Sequence, residues 1–317
     1  MVREAAAPGS ACALPGWPRQ ARISGITVIK ARLTLSAALL ALAAIGGSAA
    51  TPLEHTASAP AASAAKPQRI VSLNLCTDQL LLQMVDPQRI RAVSYLARDP
   101  RSSGMVKQAE LVPETSGHAE QVIAMNPDLV LAGTFSTRKT VAILRKLGYR
   151  VIEFDPASDF ADIIGNIHEM ARAVGEPARG EAMGAQIERR LASLPHLPAV
   201  RPVYANYDAN GFTSGDGALV TSVANSAGFD TLGQRLGLAG SPQISLEQML
   251  ISQPDLIDLG DDFTAPSLAT EMFDHPALQA LMRERQTIAL PAKYTACGTM
   301  QTLHALDALV DARGTMP

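Results

Sequence analysis

The chain has 317 residues, 47% of them hydrophobic and 18% charged, a balance that permits one large or two medium domains with a full core and excludes a disordered chain. A net charge of −3, with no Lys/Arg block interleaved with aromatic residues, excludes a nucleic-acid partner.

In chain order, Lys30 and Arg32 precede an apolar run over residues 33–47, and the small residues Ser48, Ala49 and Ala50 follow. That is the order of a secretory signal, and the run is shorter than the roughly 20 residues a membrane-spanning helix needs. Residues 1–50 are assigned to an upstream extension and signal peptide. Residues 51–67, mostly Ala, Pro, Ser and Thr, are assigned to a disordered leader. The expected location is the periplasm. Removing residues 1–50 takes away Trp17, the one tryptophan, and Cys12, which leaves Cys76 and Cys297.

Residues 69–73 predict a buried strand, residues 77–84 a helix capped by Thr77 or Asp78, and residues 91–93 a second strand. Residues 129–132 and 150–154 predict two more strands. The helix between them, over residues 137–147, is stopped by Gly148. Apolar residues at helical spacing predict the longest helices over residues 160–174 and 178–194, interrupted at 175–177. Three prolines within residues 195–202 mark a boundary, after which strand and helix alternate again from Val203. The expected fold class is α/β, with two Rossmann-like parallel-sheet lobes, 68–158 and 197–317, joined by a long α-helix within 159–196.

Residues 120–129 read EQVIAMNPDL and residues 247–256 read EQMLISQPDL, both EQ-x5-PDL and 127 residues apart. Proline after a helix and aspartate before a strand are ordinary punctuation. A glutamate in the first helical turn gains roughly 0.3–1 kcal/mol from the helix dipole. The other reading is functional: Glu120 and Glu247 are one acidic knob per lobe, matched to basic residues of a two-fold symmetric partner.

Ligands of open parallel sheets bind beyond the C-terminal strand ends. The loops concerned span 74–76, 94–98 and 133–136 in the first lobe, and 206–212, 261–263 and 294–297 in the second. They hold Tyr95, Phe135, Tyr207, Phe212 and Tyr294, rings that either stack on a planar ligand or belong to the core. Arg98 and Arg101 are candidates to pair with ligand carboxylates. Cys76 and Cys297, one per lobe, are open to three readings: unpaired thiols, a disulfide, or ligand contact. A bond between lobes would restrict opening, which argues against the second. No GxSxG, HExxH, P-loop or CxxC motif occurs, and the six histidines lack metal-ligand spacing. No catalytic residue, metal site or cofactor is expected. A metallo-enzyme or chelatase on a related fold, and a ligand sensor that does not transport, stand as alternatives.

RIVSLN at 69–74, EQVIAMNPDLVLAG at 120–133, FTSG at 212–215 and LEQMLISQPDL at 246–256, in that order, resemble the iron-chelate and cobalamin periplasmic binding proteins of ABC importers. The resemblance runs from Arg69 to the C-terminus. It implies two lobes joined by one long helix, and a metal-chelate ligand (iron-siderophore, haem or corrinoid) in the cleft. It also implies a monomer that meets a membrane permease dimer through Glu120 and Glu247. In the cobalamin-binding relatives a tyrosine near Tyr95 and aromatic residues near Tyr294 line the pocket. Those relatives also use tryptophans there, which this chain lacks beyond Trp17.

Overall fold

A computed structural model describes residues 65–196, 200–260 and 267–316. The expected signal peptide, most of the leader and the 261–263 loop lie outside the described residues. The leader ends earlier than expected. Lys66 pairs with Glu176 at 3.1 Å, and the Pro67 carbonyl accepts from Arg89 Nε at 2.8 Å, so both residues belong to the fold.

The first lobe runs β1 (Ile70–Ser72), α1 (Leu75–Met84), β2 (Ile90–Ser94), α2 (Val106–Ala109), β3 (Glu114–Thr115), α3 (Ala119–Ala124), β4 (Leu129–Gly133), α4 (Arg138–Lys146) and β5 (Val151–Phe154). Its strands pair in parallel in the order β3-β2-β1-β4-β5. The cap of α1 is Asn74 rather than Thr77 or Asp78, because its side chain reaches the N–H groups of Cys76 and Thr77. Two helices follow, α5 (Phe160–Val174) and α6 (Pro177–Ala192). Gly175 adopts the left-handed conformation (φ 77°) that ends α5, and Pro177 opens α6. The joining region is therefore two antiparallel helices, of which α6 carries the chain to the second lobe. They approach closely because glycine faces α5: a Cβ on Gly180 would lie 2.4 Å from that of Ala171, and one on Gly184 would lie 2.8 Å from His168 Nε2.

The second lobe runs β6 (Val203–Asn206), α7 (Leu219–Ser226), β7 (Asp230–Thr231), α8 (Leu232–Arg235), α9 (Leu246–Ser252), β8 (Leu256–Asp258), α10 (Pro276–Glu284), β9 (Gln286–Ile288) and α11 (Thr302–Gly314). Its strands pair in parallel in the order β7-β6-β8-β9. Leaving out β3, both sheets follow one plan, second-first-third-fourth.

Strands of such sheets are apolar on both faces because both are covered, and alternate residues serve different layers. Val71, Ala92, Val130 and Ala132 pack with Val141 and Leu144 of α4. In the second lobe Val203, Ala205 and Ile257 pack with Met249 and Leu278. The opposite faces share one core, in which Ile70, Leu129 and Leu131 join Ile163 and Ile167 of α5, Tyr204 and Leu256 of the second sheet, and Leu306 of α11. The lobes are thus fused along one side, and both lie within a single compact unit, Ala62–Pro317. Truncating Ile167, fully buried in the shared layer, to alanine would cost about 2–5 kcal/mol.

The aspartate of each EQ-x5-PDL copy has a structural task. Asp128 accepts the N–H groups of Gln68 and Arg69, each at 2.9 Å, at the entry to β1. Asp255 accepts the N–H of Val203 at 2.8 Å, at the entry to β6. Each copy so pins its own strand to the lobe's first strand.

Candidate functional site

In both sheets the strand order reverses beside the first strand, between β1 and β4 and between β6 and β8. A crevice opens at the C-terminal ends of such a pair, and a cavity lies at each. The first, about 250 Å³, is walled by Asn74, Thr134, Phe135 and Asp155 of the first lobe and by Ala296 and Gly298 of the second. Asn74 holds its floor, donating from Nδ2 to Ser136 Oγ at 3.2 Å while capping α1. The second, about 370 Å³, is walled by Asn206, Asp208, Asn210, Phe212, Asp258 and Ala292. Residues 292–298 form the partition, facing one cavity through Ala292 and Thr295 and the other through Ala296 and Gly298. Just beyond Phe135, Thr137 adopts φ 50°. A β-branched residue is rarely held there, and the strain of about 1–3 kcal/mol is typical of functional loops.

Three of the ring residues singled out in the sequence stand in solvent at strand ends: Tyr95 (59% exposed) after β2, Phe135 (72%) after β4 and Phe212 (41%) after β6. No other described aromatic residue is exposed. Tyr294, after β9, is half-buried, with its ring 5.2 Å from that of His304. Tyr207 has no place in the cleft: it is 1% exposed and packs edge-on against Phe273 at 6.2 Å, because its side chain points into the second-lobe core. Arg98 is committed elsewhere as well. It donates to the carbonyls of Ala109 and Val112 and pairs with Glu114 at 3.2 Å, tying α2 and β3 together. Arg101 bonds to its neighbour Asp99.

Cys76 and Cys297 form a disulfide, with Cα atoms 5.1 Å apart across a separation of 221 residues. The expectation that no bond joins the lobes, because it would restrict opening, is overturned. The bond lies at the wall of the first cavity, beside the shared core, and so joins the lobes where they are already fused. It fits an oxidising compartment.

Two carboxylates are buried among the described residues: Asp78, which the sequence offers only as a helix cap, and Asp258, which it does not single out. Burial pushes the Asp78 carboxyl up to about 7, against hydrogen bonds from Ser72 and Ser94; the Ser94 N–H donates at 3.2 Å, so Asp78 links α1 to the strand end that carries Tyr95. Burial also pushes Asp258 up to about 6. It accepts from Tyr204 Oη at 2.6 Å and from the N–H groups of Gly260 and Leu290, each at 3.0 Å. The available signal was an acid inside an apolar run, as in LIDLG at 256–260. Among the described residues no group of three or more His, Cys, Asp or Glu is placed to hold a metal ion.

The family pattern described as periplasmic binding protein matches residues 70–293, well over half of the chain. The chain belongs to the periplasmic binding protein family. A cobalamin-binding protein of Halobacterium salinarum is 24% identical over 200 residues, 62% of this chain and 54% of that protein, so the match spans about half of that relative's length. A vitamin B12-binding protein of Photorhabdus laumondii is 25% identical over 227 residues, 68% of this chain and 78% of that one. A periplasmic heme-binding protein from Roseiflexus sp. RS-1 superposes with a TM-score of 0.63 at 22% identity, over 77% of this chain and 98% of that chain. That likeness shows the shared fold. These are binding proteins rather than enzymes.

In this binding protein the repeat combines structural contacts of its glutamine and aspartate with an exposed glutamate. Gln121 Oε1 accepts from Ser116 N–H at 3.2 Å, and Gln248 Oε1 accepts from Ser245 N–H at 3.1 Å within a capping box. Glutamine and aspartate therefore work for the fold in both copies. Glu120 has no hydrogen-bond or ion-pair partner among the described residues and is exposed. Glu247 is also exposed; its own N–H, the Ser245 side chain and the charge of His275 hold its carboxyl below the ordinary range. Each stands in the first turn of its helix.

Proposed function

We propose that this chain is the exported solute-binding protein of an ABC importer. It captures a metal chelate (an iron-siderophore, haem or a corrinoid) between its lobes and hands it to a membrane permease dimer. The observation that carries the reading is that the exposed aromatic residues Tyr95, Phe135 and Phe212 all stand at C-terminal strand ends, two in one lobe and one in the other. Planar or macrocyclic guests are gripped by such rings. The cobalamin-binding and heme-binding relatives lie in the same chemical range. The docking role of Glu120 and Glu247 is supported by their exposure and by their matched places in the repeat.

Calorimetric titration of the mature protein with cyanocobalamin, haemin and a set of ferric siderophores tests this. At least one saturable, one-to-one isotherm is expected; absence of binding to every member overturns the proposal.

A further inference from the structure

One surface of the first lobe carries charge of a single sign. Residues 138–150 hold five Lys or Arg and no Asp or Glu, in a chain whose net charge is −3. Arg138, Lys139, Arg145 and Lys146 are on α4, whereas α5, α6 and α11 each mix acids with arginine. Helix α4 spends Val141 and Leu144 on the core. Helical spacing then turns Lys139, Ala142, Ile143 and Lys146 to the opposite side, where all four are exposed. Ile143 is 45% and Leu147 58% exposed. Of the five cations, Arg145 pairs with Glu153, and Arg138 lies over the Phe135 ring at 5.8 Å. The side chains of Lys139, Lys146 and Arg150 have no hydrogen-bond or ion-pair partner among the described residues. Helix α3 and strand β5 pack against α4, and their acids are Glu120 and the same Glu153. Cations therefore outnumber carboxylates on this face.

Helix electrostatics explain only half of the arrangement. Arg145 and Lys146 stand in the last turn of α4, where the helix dipole favours cations. Arg138 and Lys139 stand in the first turn, where it disfavours them, and no acid accompanies them there. Cations held against the dipole, beside apolar residues left in solvent, fit a surface that meets an anionic partner.

We infer that the outward face of α4 is a membrane-contact surface, which adsorbs the protein onto bilayers rich in anionic phospholipid. Lys139 and Lys146 form its centre, Arg150 extends it, and Ile143 and Leu147 meet the headgroup boundary. Charge complementarity supplies the attraction: each Lys or Arg near such a surface strengthens binding about fivefold. The apolar stripe of α4 is already buried in the core, so the contact is shallow, reversible and salt-sensitive. A carrier held in this way searches for its permease along the membrane rather than through the surrounding volume. The inference goes beyond the proposed function and does not depend on which chelate is carried.

Sedimentation of the mature protein with vesicles of equimolar phosphatidylglycerol and phosphatidylcholine, against vesicles of phosphatidylcholine alone, tests it. At low salt, binding to the anionic vesicles is expected to exceed binding to the neutral ones at least about 20-fold, and to fall at least about tenfold in roughly 0.5 M salt. Lys139→Gln with Lys146→Gln changes two exposed residues and is expected to weaken binding at least about tenfold; circular dichroism and the unfolding midpoint check that the variant is folded. Equal binding to both kinds of vesicle, or binding unmoved by the lysine substitutions, overturns the inference. Absence of binding to either vesicle overturns it too, and leaves an acidic protein as the partner of the patch. The solute-binding function stands in each of these cases.

Discussion

The two lobes share a scaffold and differ in the chemistry at its rim. Each has its first strand inside the sheet, a helix followed by Pro-Asp-Leu, whose leucine opens the next strand, and a buried aspartate. In the first lobe that aspartate, Asp78, hides within α1 and braces the strand end that bears Tyr95, while the cavity floor is an uncharged cap, Asn74. In the second lobe Asp258 ends its own strand and lines the cavity beside Asp208. Helix α3 begins without a side-chain cap, whereas α9 begins with a full capping box. A duplicated frame fixes where side chains sit, and the loops decide which chemistry they carry.

The symmetric part of this comparison breaks most visibly at the two glutamates. Glu120→Arg combined with Glu247→Arg should abolish chelate uptake by cells while calorimetric affinity stays within twofold. Each single variant should lose uptake only in part, and full loss from one alone would show that the copies are not equivalent. Next in size is the covalent link between the lobes. Cys76→Ser with Cys297→Ser should lower unfolding stability by about 2–5 kcal/mol in urea titration, since the bond closes a very long loop. A loss below 1 kcal/mol would mean that the shared core alone sets the lobe arrangement.

The buried aspartates sharpen the contrast further. The folded Asp78 carboxyl titrates near 7, against 3.8 as a free group. Its contribution to stability is therefore complete below about pH 4 and is lost as pH rises through 7. Asp78→Asn should gain on the native protein between pH 5 and pH 8, by on the order of 1–3 kcal/mol. An unchanged difference at the two pH values would remove Asp78 as a source of pH dependence. The smallest effect lies in the repeat aspartates. Asp128→Ala, which frees two N–H groups, should cost about 1–3 kcal/mol and Asp255→Ala, which frees one, about half of that; the reverse order would contradict the pinning role.

Most of the frame was legible in the sequence because it rests on local patterns. Strands β1, β4 and β5 and helix α5 follow from apolar runs and helical spacing. Gly148 and Gly175 stop helices through left-handed backbone, at φ 84° and 77°. The repeat announced the equivalence of the lobes. What escaped depends on direction and distance. Tyr207 and Phe212 lie five residues apart in one loop, yet one faces the core and the other solvent, and composition does not register that difference. Arg98 satisfies carbonyls that only the folded chain brings near. The Cys76–Cys297 bond spans 221 residues, a proximity that no local signal encodes. Asn74 was passed over as the helix cap because it sits directly at the end of a strand.

Whether one guest is held by both halves at once is read from the affinity of the best-binding chelate for Tyr95→Ala and for Phe212→Ala. Each variant, one from each lobe, is expected to weaken binding at least about fivefold, in line with roughly 1 kcal/mol for an aromatic contact. Weakening confined to a single lobe, or none from either, would contradict a guest held by both.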